Sequence, residues 1–180
     1  MEGHHAREFA GCGQHLGIKA DVGLARGLMA PLHEQFMEAD RAGDPVACLV
    51  IQCVIIECFA VAAYRCYLPV ADAFARPVTA VVLQDEAEHL DYGEQWLGAW
   101  FPEVAPRVEA CCARALPTAL GMLRSLAPDL EAIGMDPAEV VAEFTLAFRQ
   151  SLEKIGFDPR QALALLSRLV SQAPLPLPVP

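Results

Sequence analysis

The longest apolar stretch of the chain runs from Val46 to Tyr64, and only Gln52 and Glu57 interrupt it near its middle. Wound as a helix, it would nearly cross a bilayer. A carboxylate at bilayer depth costs roughly 2.5–3.5 kcal/mol, however. The stretch is therefore read as the core helix of a globular bundle with no membrane span, and a buried Glu57 then requires a partner. Elsewhere the apolar positions recur at helical spacing, with no useful strand alternation and no internal repeat. The pattern predicts helices over about 1–14, 21–41, 45–67, 70–100, 102–126, 137–155 and 159–172. Pro31 should bend the second, Pro77 kink or break the fourth, and Pro117 interrupt the fifth. Asp44-Pro45, Asp136-Pro137 and Asp158-Pro159 mark helix starts, with Asp as cap and Pro at the first helical position. Gly43 and Gly156 stand where a C-cap glycine belongs. The final Ala173-Pro-Leu-Pro-Leu-Pro-Val-Pro180 cannot be helical and reads as a disordered, proline-rich tail over 173–180.

Composition narrows the class. The 180 residues suffice for one domain, and 54% are hydrophobic against 20% charged, too apolar for a disordered chain. Thirteen Lys+Arg face 23 Asp+Glu, a net charge of −10, so there is no basic surplus to neutralise a nucleic acid. Seven cysteines form no Cys-x-x-Cys pair, and most sit in apolar runs, where a thiol acts as a small hydrophobe. That usage fits a reducing, cytoplasmic setting, and no signal peptide opens the chain.

The chemistry lies in the glutamates and histidines. His5 and His89 each follow a glutamate by three positions, as Glu2-Gly3-His4-His5 and Glu86-Ala87-Glu88-His89. On a helix, i and i+3 share a face, so a carboxylate and an imidazole converge. Each signal has a bland reading: a frayed terminus for Glu2/His5, a solvated acidic face for Glu86/His89, a buried acid on an unseen donor for Glu57. Together, on successive helices, they form the ligand pattern of a di-iron carboxylate bundle of the ferritin-like class. Iron that cycles between oxidation states while handling O2 suits hard anionic oxygens and imidazole. The order in such bundles is Glu, Glu-x-x-His, Glu, Glu-x-x-His, of which this sequence carries the last three terms.

Longer stretches are more specific. The run CLVIQCVIIECFAVAAYRCYLPVADAFARPVTAVVLQDEAEHLDYGEQWL resembles the cyanobacterial aldehyde-deformylating oxygenases, also called aldehyde decarbonylases. So do MEGHHAREFAGCG at the start, LHEQF at Leu32–Phe36 and the late AEFTLAFRQSLEKIGF. The resemblance implies an all-α, ferritin-like di-iron bundle over 1–172, lacking its first helix. It implies conversion of a long-chain fatty aldehyde, with O2 and electrons, to an alkane or alkene plus formate. Ferredoxin and its reductase would supply electrons, and an acyl-ACP reductase would produce the aldehyde. Two iron ions would be bridged by Glu2 and Glu86, with His5 terminal on one and Glu57 and His89 on the other. Gln52, Tyr64 and Asp85 would orient these ligands by hydrogen bonds, and Cys12 would lie near the substrate.

The departures carry expectations of their own. Pro77 replaces a helix-friendly basic residue, and Phe148 stands where the family often has Tyr. The first ligand glutamate would lie on a helix before Met1, so weak iron loading and poor solubility are expected of this chain. The alternatives are a ferritin-like iron-binding bundle without aldehyde chemistry and an inactive truncated remnant.

Overall fold

The computed structural model describes residues 2–170 of the chain, with side chains from 3 to 167. Within them the chain is all-α and has no strand. The helices are α1 (Glu2–His15), α2 (Val22–Arg41), α3 (Pro45–Tyr67), α4 (Ala75–Ala99), α5 (Ala105–Ser125), α6 (Ala127–Ala132), α7 (Pro137–Ile155) and α8 (Pro159–Val170). Helix α3 is the centre of the bundle and packs against α2, α4, α5 and α7. Helix α1 lies against α4.

The three Asp-Pro starts are caps. Asp44 accepts from the Ala47 amide, Asp136 from that of Ala138, and Asp158 from those of Arg160 and Gln161. Gly43 and Gly156 adopt φ of 65° and 128°, the left-handed region a C-cap glycine permits.

Three expectations need correction. Helix α4 begins at Ala75 rather than at Val70, because 68–74 form a turn closed by Asp72. Pro77 then falls in the first turn, where its missing amide hydrogen has no partner to lose, so it neither kinks nor breaks the helix. Helix α5 begins at Ala105 and runs unbroken through Pro117 to Ser125. The short α6 went unpredicted, since its six residues are too few for a periodic signal. The proline-rich segment 173–180 lies outside the described residues.

The apolar stretch is the core helix. Val50, Ile51, Val54, Ile55 and Cys58 are fully enclosed. They face Leu116, Leu123, Phe144, Phe148 and Leu152 in one contiguous core. Burial of each large side chain contributes roughly 1.5–3 kcal/mol. Arg65 and Gln52 stay on the exposed side. Within α3, Val50–Ile56 winds as a π-helix and returns to α at Glu57. This run is dense in β-branched side chains, which crowd the preceding turn of a tight helix. The wider winding relieves that crowding and sits directly before the one acid of the stretch. π-Segments of this kind cluster at functional sites.

Candidate metal centre

The acids and imidazoles singled out above meet between α1, α3 and α4. Helices α3 and α4 run antiparallel, bringing the middle of one beside the middle of the other. Glu57, Glu86 and His89 each offer one donor atom, all within 4.8 Å of one another. Glu57 is 5% exposed and Glu86 4%, values rarely seen for carboxylates without a compensating charge.

Glu86 is the hinge of the arrangement. Its Oε2 lies 3.2 Å from His89 Nδ1, and its Oε1 lies 3.2 Å from His5 Nδ1. Glu57 Oε1 stands 3.9 Å from the same His89 nitrogen. The Glu86 carboxylate is therefore flanked by two imidazoles, one facing each oxygen. Helix α1 contributes His5, which is buried, and its Nε2 lies 2.9 Å from Asp85 Oδ2. The two acids on either side hold that ring with Nδ1 toward the centre.

The donor set fits a metal ion. Nitrogen and oxygen donors bind such ions at about 2.0–2.2 Å, which spaces neighbouring donors about 3–4 Å apart. The separations of 3.2 and 3.9 Å within the group lie in that range. Hard carboxylate oxygens with imidazole nitrogen suit iron or manganese.

The remaining sequence expectations fall out unevenly. Glu2 lies in the first turn of α1, but its side chain is outside the described ones. Tyr64 stacks on Phe9 of α1 with ring centroids 5.4 Å apart, on the flank of the group. Cys12 is buried beside Ala71 and Ala75, with Phe9, Tyr67 and Val78 around it. Burial, and then the nearby Asp72 and Glu8 charges, push its thiol up, so it is neutral at physiological pH. Gln52 lies in the π-segment, five residues before Glu57, and its side chain is exposed.

Other features had weaker signals. The buried Glu94 pairs with Lys154 of α7 at 2.7 Å, which tethers α7 to α4. The surface cleft between α2, α3 and α5 is rimmed by the Arg107–Asp44 and Arg114–Glu38 pairs and contains no residue of the metal group.

A helical bundle whose interior carries a carboxylate–histidine group on adjacent helices defines a ferritin-like metalloprotein. Within that class, residues 1–171 match the long-chain fatty aldehyde decarbonylase family, and the chain belongs to it. The fold also superposes, with a TM-score of 0.91, on a solved structure from Synechococcus described as protein 19 with aldehyde deformylating oxidase activity. The two are 56% identical, over 93% of this chain and 77% of that one. Members of the family are enzymes with a metal centre, and the Glu57, Glu86 and His89 group is where this chain has one to offer.

Proposed function

We propose that this chain is a di-iron oxygenase that shortens long-chain fatty aldehydes by one carbon. The products are an alkane or alkene and formate. One atom of O2 leaves in the formate and the other in water, with electrons and protons drawn from a reduced carrier. A ferredoxin with its reductase fits the carrier role, an acyl-ACP reductase fits the aldehyde source, and the cytoplasm fits both. The observation that carries the reading is the Glu86 carboxylate, with an imidazole Nδ1 3.2 Å from each of its oxygens. That is the disposition of a carboxylate bridging two cations.

The residues divide the work. Glu86 and Glu2 would bridge, His5 would serve one iron, and Glu57 and His89 the other. When bound, the irons supply the activation of O2. Asp85 fixes the His5 ring through Nε2, and Tyr64 supports the same end through its stack on Phe9. The buried carboxylates neutralise the cations within an apolar surround that keeps water from the reacting centre. The Cys12, Phe9, Tyr67 and Val78 cluster offers an apolar wall to an alkyl chain, with the neutral Cys12 thiol as part of it.

The test pairs iron quantification with gas chromatography. The chain is supplied with a long-chain aldehyde, O2 and a reducing system, and the alkane one carbon shorter is expected. Glu57→Gln and His89→Ala should reduce its yield at least a hundredfold. Iron binding with no alkane would favour a storage bundle, and neither iron nor alkane an inactive remnant.

A further inference from the structure

Gly93 lies deep inside α4, where glycine is the poorest helix former short of proline. A Cβ placed on it would meet the Cβ of Cys53 at 2.6 Å and the Cys53 carbonyl oxygen at 2.9 Å. Neither atom is the far end of a flexible side chain, so no rotamer change relieves the clash. Gly98 of the same helix is a contrast: its nearest neighbour, the Ile155 carbonyl oxygen, is at 3.5 Å, an ordinary contact.

The place of this contact matters. Cys53 belongs to the π-segment, one helical turn before Glu57. Gly93 follows His89 by four residues and Glu86 by seven, so all three share one face of α4. A close approach of α3 and α4 thus lies one turn along the seam that holds the three ligands. Ordinary contact at position 93 would require the helices to part by roughly an ångström. Glu57 Oε1 and His89 Nδ1, now 3.9 Å apart, would then sit beyond the comfortable span of one cation. Misplacement on that scale can cost two orders of magnitude in a positioned site.

We propose that Gly93 is a positioning residue of the metal centre. By admitting the backbone of the π-segment at Cys53, it sets the α3–α4 separation at which Glu57 joins Glu86 and His89 on one ion. The proposal rests on reading those three residues as ligands. The test is an anaerobic cobalt(II) titration of the full chain, with absorption bands reporting ligand set and affinity without turnover. Gly93→Ala should weaken cobalt binding at least tenfold and shift the bands, with wild-type helicity by circular dichroism. Gly98→Ala should bind as the wild type does. Adding Cys53→Gly to Gly93→Ala removes the nearer clash and should restore a measurable part of the affinity. Wild-type affinity and bands in Gly93→Ala, or an equal loss in Gly98→Ala, would overturn the proposal. If Gly93→Ala alone does not fold, the double variant decides, and its failure to fold or to bind overturns the proposal too. Absence of cobalt binding in the wild type, or undiminished binding in Glu57→Gln, would instead remove the ligand reading itself and this proposal with it.

Discussion

Asp72 shows how one side chain prepares the site from a distance. It accepts from the Phe74 and Ala75 amides at 2.7 and 2.8 Å, closing the turn that launches α4. Phe74 in turn stacks on His15 at the end of α1, with ring centroids 4.4 Å apart. The amide bonds hold the Asp72 carboxyl below its ordinary pKa of 3.8. A lowered folded-state pKa contributes stability that is fully present above the ordinary value and lost as pH falls through the lowered one. Asp72→Ala should therefore lower the melting temperature at neutral pH, and the gap from the wild type should close as pH falls below about 4. Melting curves of both proteins across the acid range check this. The thiols behave uniformly: burial pushes Cys66 up to about 11 and Cys111 up to about 12, so both are neutral packing groups rather than nucleophiles.

At the scale of elements, the informative case is the proline inside α5. Pro117 has no amide hydrogen for the Ala113 carbonyl one turn back, yet the helix continues. Ala113 faces solvent, so water can take that bond, and Leu116, Ala119 and Leu120 on the opposite side are held in the core. Burial outweighs propensity here. Replacing Pro117 by Ala should restore the backbone bond and raise unfolding stability by about 1–2 kcal/mol, part of the gain being offset by a more flexible unfolded chain. A higher urea midpoint at unchanged slope is the expected result. The nearby Gln35–Thr118 bond at 3.0 Å, between α2 and α5, should persist in the variant.

For the whole molecule, the metal group lies where helices distant in sequence converge, so metal binding and folding are coupled. An ion held by the folded state alone stabilises it by about 2.7 kcal/mol at a hundredfold excess over its dissociation constant. Ferrous iron should accordingly raise the melting temperature of the wild type but leave that of His89→Ala unchanged. The net charge of −10 implies that any acidic electron carrier docks on a local basic patch, with association that weakens as salt rises.

Much of this was legible in the residues themselves. The Asp-Pro caps, the capping glycines and the all-helical class follow from local chemistry, which acts within a few residues and needs no partner. The Glu-x-x-His spacing likewise places carboxylate and imidazole on one helical face whatever surrounds them. Three other features lay beyond what spacing could reach. The π-winding of 50–56 departs from straight helical spacing, because an i→i+5 turn changes which residues share a face. Pro77 proved harmless because the Asp72 turn starts α4 just before it, and Pro117 because the burial of α5 outweighs the lost backbone bond. Gly93 is by residue type only a poor helix former, and what it does follows from Cys53 lying against it. Residue types and their periods thus established which groups were available and on which face. The distances that make them one metal-binding group arise from the antiparallel docking of α3 on α4, a property of two surfaces rather than of either sequence segment.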